Sequence, residues 1–232
     1  MTKRILALAA LGIAAAPSFA TDLWNQQVGV GSSFDGGPDQ VFGDLPSATA
    51  WQASDVIVGS GGWNVTSIST LATLQAGGTM NLTTTADLTI FAGSASLPTG
   101  SNDPSVDQVV NVTWTLVGAN EYRVQANVNM NLAAGHYWVG LTPIGDYGTY
   151  LQTYTIFTST NSAGASFGTG LLNPGGYYNG VTTWQTLASV EGQTNPLYAA
   201  IDIQGTAAPE PATMAFLGLG IAGLVARRRL RK

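Results

Sequence analysis

From Val110 the chain alternates: Val110, Val112, Trp114 and Leu116 are apolar, and Asn111, Thr113 and Thr115 between them are polar. A period of two marks a strand with one buried face, because successive side chains leave a pleated strand on opposite sides. Tyr122, Val124, Ala126, Val128, Met130 and Leu132 continue the pattern over a longer stretch. Gly118-Ala119-Asn120 lies between the two runs and predicts a hairpin turn. Further strands are expected at 55–58, 63–69, 79–84, 87–92, 136–141, 151–157, 181–187 and 197–203. No segment between 21 and 208 shows the 3.6-residue period of a helix. Many short strands with turn signals between them predict an all-β fold, an antiparallel β-sandwich of jelly-roll type.

Gly, Pro, Asn and Asp gather at 29–43, 97–107 and 159–180, which read as loops. The last is longer than a compact domain usually leaves without structure, so it is expected to cover a sheet or to carry a binding function. Thr206-Ala207-Ala208 reads as a short linker to the C-terminal segment.

Charge changes the picture in two ways. Only 9% of the 232 residues are charged, far below a usual soluble domain, yet 45% are hydrophobic, enough for a core. The distribution is also uneven. Between Thr21 and Ala208 there are twelve acids and one base, Arg123, and five of the eight basic residues fall in the last six positions. A body this acidic has nothing to set against a phosphate backbone, so nucleic acid is excluded as a partner. There is no Cys, so no disulfide contributes to the fold.

Both ends read as addresses. Lys3 and Arg4 precede an apolar stretch from Ile5 to Ala16, and Ser18 and Ala20 flank Phe19 as a signal peptidase site requires. Residues 1–20 are therefore expected to be a signal-peptide helix cut between Ala20 and Thr21. At the other end, Pro209-Glu210-Pro211 is followed by 15 uncharged residues, Ala212 to Ala226. As a helix this run would reach about 22 Å, a short span for the bilayer core of roughly 30 Å. Arg227, Arg228, Arg229, Arg231 and Lys232 follow it and would hold that end in the cytoplasm.

The ordered triplet of Pro-Glu-Pro, short apolar helix and basic end resembles the PEP-CTERM sorting signal of Gram-negative bacteria. The resemblance implies that the short transmembrane helix parks the precursor transiently in the inner membrane. It implies also that exosortase, a membrane cysteine transpeptidase, recognises Pro209, Glu210 and Pro211 on the outer side. The implied destination is the cell surface or the extracellular matrix. Two prolines resist helix formation and keep the motif extended, which suits a protease. In the body, WQASDVIV, GGWNVTSIST, GHYWVGL and AAIDIQG resemble, in order, segments of secreted β-sandwich modules that carry such tags.

Candidate chemistry is sparse. Gly164-Ala165-Ser166-Phe167-Gly168 satisfies the G-x-S-x-G pattern, but a nucleophile elbow needs a following helix and a later His, and the one histidine, His136, comes earlier. A Gly/Ser-rich loop is the expected reading, with His136 as a partly exposed strand residue. Asp35, Asp39 and Asp44, and Asp103 with Asp107, lie in loops where Ca²⁺ finds oxygen ligands, but neither set has a known calcium-loop spacing. They are expected to cap turns. Glu121 and Glu191 are the only glutamates of the body, and a surface role suffices for Glu121. The six tryptophans and the tyrosines of the long loops suit sugar rings as well as a core. Tyr177, Tyr178 and Trp184 are the candidate glycan contacts, with an extracellular polysaccharide as partner. The expectation is an exported structural or interaction protein with no cofactor, no metal and no catalysis. A glycan-binding module is the alternative, and a secreted glycosidase or esterase the third reading.

Overall fold

The computed structural model describes residues 21–27, 34–93, 96–98, 105–158, 161, 163–165 and 167–208. Both expected terminal helices, the Ala20–Thr21 junction apart from Thr21, the Pro-Glu-Pro motif and the basic end lie outside the described residues, as do Asp103 and Ser166. Among the described residues no helix is long and apolar enough to cross a membrane.

The body is all-β and antiparallel. Its strands are β1 (Thr21–Asn25), β2 (Phe34–Pro38), β3 (Trp51–Val58), β4 (Trp63–Leu74), β5 (Thr85–Gly93), β6 (Val106–Gly118) and β7 (Glu121–Leu132). They continue with β8 (Gly135–Pro143), β9 (Thr153–Thr158), β10 (Thr169–Leu172), β11 (Gln185–Thr186), β12 (Tyr198–Ala199) and β13 (Ile201–Ala207). Two helices of four residues each, α1 (Tyr147–Tyr150) and α2 (Leu187–Val190), interrupt the series.

The strands form one continuous sheet in the order β1-β13-β4-β7-β6-β5-β8-β3-β10-β11, with β9 joined to β4 and flanked by β2 and β12. The sheet curls into a half-barrel, and β6 is the fold line. Val106 to Asn111 pair with β5, whereas Val112 to Gly118 pair with β7. The expected sandwich thus takes the form of a single sheet whose halves face each other. The core fills the concavity: Val65, Ile68, Val124, Ala126 and Ile203 from one half meet Val56, Leu88, Ile90, Val139 and Leu141 from the other. All are buried, which at about 25 cal/mol per Å² of apolar surface is the main force holding the curl closed.

The β6–β7 hairpin forms as the alternation predicts, turning at Asn120, whose φ of 58° places it in the left-handed region. Its Nδ2 donates to the Leu74 carbonyl at 2.8 Å and secures the turn to β4. Other expectations are corrected. Residues 79–84 hold a 3-10 turn, Met80–Leu82, because the Thr83 amide and hydroxyl both donate to the Met80 carbonyl. Residues 181–187 give only the two-residue β11, and then Thr186 caps α2 by accepting from the Ser189 amide at 3.3 Å. The loop expected at 29–43 contains β2, and that at 159–180 contains β10.

The C-terminal linker is also corrected. Thr206 and Ala207 lie in β13, opposite Asn64 and Trp63 of β4, and the Ala208 amide donates to the Gly62 carbonyl. At the bulge in this pairing the strands crowd so closely that a Cβ on Gly205 would stand 2.1 Å from the Asn64 carbonyl oxygen. Only glycine fits there. On its other side β13 pairs with β1, which sets Thr21 opposite Gly205. The two ends of the described body therefore leave the sheet at one corner.

Candidate functional site

The convex face of the β5–β8–β3–β10 half carries the densest chemistry. Antiparallel register sets Asp55 opposite Trp138, and Trp138 opposite Phe91. Strand alternation then keeps the three on one face. Trp138, Phe91, Leu172 and Trp184 form a second apolar cluster there. The Phe91 and Trp184 rings meet edge to face at 5.4 Å, a favoured aromatic geometry. The Trp138 indole N–H donates to the Ser96 carbonyl at 2.9 Å.

At one end of this cluster Asp55 is wholly buried and fully used. Its Oδ1 pairs with His136 Nε2, and its Oδ2 accepts from the Phe167 amide at 2.6 Å. The Asp55 amide in turn donates to the Gly168 carbonyl. His136 keeps only a narrow exposed edge, and its ring meets those of Trp138 and Phe167, which also meet each other. Asn161 Oδ1 accepts from the amides of Gly164 and Ala165, at 2.8 Å each, and shapes the approach to Phe167. A buried carboxylate that holds an imidazole in one orientation is the arrangement of a general base. The same contacts also serve as a clamp that ties a loop to the sheet.

The structure thus brings His136 to the G-x-S-x-G segment through Asp55, a residue the sequence reading did not single out for this role. Nothing in the local pattern of β3 marks it, since the contact spans 81 residues to His136 and 112 to Phe167.

A second polar group lies inside the half-barrel. Asp39 is buried, and its carboxylate accepts from the Thr142 and Thr155 hydroxyls at 2.7 Å each. Burial pushes its pKa up to about 7, against the lowering effect of these bonds. Asp44 is separate and exposed. It accepts from the amides of Gly148 and Tyr147, which hold its pKa below the usual value, and so caps the start of α1. Of the acids expected to cap turns, Asp44 does so, whereas Asp39 is buried on two threonine hydroxyls. Among the described residues no group of three metal-ligating side chains comes together. Asp87 accepts from the Trp51 indole N–H at 2.9 Å, and burial raises its pKa, with the neighbouring Asp107 adding to the effect.

The candidate glycan contacts separate. Tyr177 is 71% exposed. Tyr178 is half-buried and donates its hydroxyl to Glu191, and burial with that contact raises its pKa. Trp184 is buried against Phe91, so its ring serves packing rather than a surface ligand. Glu191 is thereby engaged in holding Tyr178, and Glu121 begins β7 far from it in the sheet order.

Comparison with protein families matches residues 207–229 to the PEP-CTERM protein-sorting motif. The match covers the Pro-Glu-Pro element, the apolar run and the first three of the four terminal arginines. The chain carries this motif behind an all-β body, and the motif marks it for export and for sorting by exosortase. No curated protein and no solved structure matches significantly.

Proposed function

We propose that the protein is an exported structural or interaction protein of the cell surface or extracellular matrix of a Gram-negative bacterium. It is inserted transiently in the inner membrane by Ala212–Ala226, held there by Arg227–Lys232, and processed by exosortase at Pro209-Glu210-Pro211. The match at residues 207–229 carries this reading. The body supports it physically. Thr21 and Gly205 are paired neighbours, so a signal peptide before Thr21 and a sorting tail after Ala208 both leave from one corner, and a body held at that corner projects the rest of its sheet outward. The sparsely charged, Thr- and Asn-rich exterior of β6 and β7 suits contact with polar polymers, and Tyr177 is the exposed aromatic among the three candidate contacts for the glycan-binding form of this proposal. The test is intact mass and fractionation in the native host. Replacing Pro209, Glu210 and Pro211 with Ala leaves the chain inserted but unprocessed, and neutralising the five terminal basic residues weakens its retention. Wild-type mature mass at the surface in both variants would sink the reading.

One observation favours a second reading. Asp55 and His136 are paired beside the segment that contains Ser166, and a secreted esterase would use the three as acid, base and nucleophile. Ester turnover lost in both Ser166→Ala and His136→Ala would establish it. Absence of turnover in the wild type favours the loop clamp.

A further inference from the structure

Asp39 lies in the gap between the two halves of the curled sheet. Thr142, which donates to its Oδ1, is on β8, and Thr155, which donates to its Oδ2, is on β9. The Gln52 backbone N–H is a third donor. Three donors aimed at one carboxyl group describe a site shaped for the anion. Yet among the described residues no cationic side chain answers it. Arg123, the one Lys or Arg of the body, donates to Gln27 at the exposed surface, and His136 is engaged by Asp55 on the convex face. The charged group that does face Asp39 is Asp87, of the same sign.

Beside the carboxylate is a cavity of about 10 Å³, lined by Asp39, Gln52, Ser54, Thr70 and Thr155 among others. Gln52 donates through Nε2 to the carbonyls of Gly37 and Pro38 at 2.7 and 3.1 Å, which fixes the amide orientation. Its Oε1 is left buried with no partner. A buried acceptor without a donor is destabilising, and a buried anion without a counter-charge is more so. Gln52 and Asp39 line one cavity, whose polar wall presents only oxygen ligands to an ion and whose remaining wall, with Val139, Leu141, Ala199 and Ile201, is apolar.

We propose that this cavity is a sodium site, with Asp39 as the charged ligand and Gln52 Oε1 and the neighbouring hydroxyl oxygens as neutral ones. Oxygen ligands select a hard cation. One carboxylate balances one positive charge, whereas a divalent ion would leave net charge in the interior. The volume admits a particle of about the size of a water molecule and no organic cation. A water would give Gln52 a donor but leave the carboxylate uncompensated. Because the cavity is lined by Gln52 and Ser54 of β3 on one side and by Thr70 of β4 and Thr155 of β9 on the other, the bound ion closes the half-barrel across its gap. Sodium and the proton compete for Asp39, so the site fills where the carboxylate is ionised.

Thermal melts of the full chain in mild detergent at pH 8 test this, with NaCl, KCl, CaCl₂ or choline chloride at equal ionic strength. Sodium at about 0.15 M is expected to raise Tm over choline by roughly 4 °C, and at pH 5 the gain disappears. Asp39→Asn, which keeps the shape and removes the charge, is expected to melt cooperatively with no sodium gain. Should that variant fail to fold, weakly buffered wild type at pH 7 supplies the readout: added sodium releases protons, and choline does not. Equal Tm in sodium and choline overturns the proposal, as does an equal gain in potassium, a gain confined to calcium, or no proton release.

Discussion

β7 and β8 follow each other in the chain, yet they meet solvent in opposite ways. In β7 the buried Val124, Ala126 and Leu132 alternate with exposed residues such as Arg123, Asn127 and Asn131. In β8 every residue from Trp138 to Pro143 is buried. Both strands put one face into the same concave core. The difference is on the convex side, where β7 is bare and β8 lies under Phe91, Leu172 and Trp184. A strand covered on one face has a period of two, and a strand covered on both reads as an unbroken run. The covered half of the sheet therefore carries a second apolar layer and, at one end of it, the buried Asp55–His136 pair.

The comparison is broken most directly at Trp138. Trp138→Ala removes the largest ring from the covered face and is expected to cost about 4 kcal/mol in urea unfolding. Asn129→Ala on the bare face of β7 is expected to stay within about 0.5 kcal/mol. Equal effects would mean that the convex cover contributes nothing to stability.

The next effect is pH dependence. Asp39 titrates near 7 in the fold and near 3.8 when unfolded, so between these values the folded state holds the extra proton. Stability from this group is present below the unfolded pKa and is lost as pH rises through about 7. In sodium-free buffer the wild type should lose about 3 kcal/mol over that window relative to Asp39→Asn. Denaturation midpoints of the two proteins across the window check this, and parallel curves would show that Asp39 is not buried as described.

Asp55→Ala tests the other polar group of the covered half. It leaves the Phe167 amide and His136 without their acceptor and is expected to cost about 2 kcal/mol. Hydrogen exchange should show the Phe167 amide exchanging faster while the amides of β7 are unchanged. Exchange that rises equally in both places would mean the pair supports the whole fold rather than one loop. Smallest is Tyr178→Phe, which removes the hydroxyl donated to Glu191 and keeps the ring against Leu187 and Leu197; the expected loss is about 1 kcal/mol by thermal melting.

How much could be read beforehand follows the same division. The alternation of 110–116 and 122–132 led directly to β6 and β7 because the bare face supplies the polar half of the pattern. β3 was expected to begin at Asp55 and begins at Trp51, because Gln52, Ala53 and Ser54 are all buried and no alternation marks them. Residues 79–84 alternate as a strand would, yet Thr83 turns back to Met80 and the segment coils. Trp184 stands in the sequence as a candidate glycan contact within an expected strand and is core in the fold, since Phe91, Trp138 and Leu172, brought in by other strands, decide its environment.

By itself the sequence determined what depends on neighbours along the chain. The Pro-Glu-Pro element, the apolar run and the basic end act in order, so their order suffices to identify them, and the hairpin at Asn120 needs only its flanking residues. The scarcity of charge and the absence of Cys are likewise properties of the chain alone. Tertiary structure decided what depends on register between distant strands. It joined Asp55 to His136 and Phe167, set Asp39 between Thr142 and Thr155, left Gln52 Oε1 facing no donor, and drew Thr206 and Ala207 into β13. These partners stand from tens of residues to more than a hundred apart, and a shift of one residue in any pairing would turn each side chain to the opposite face.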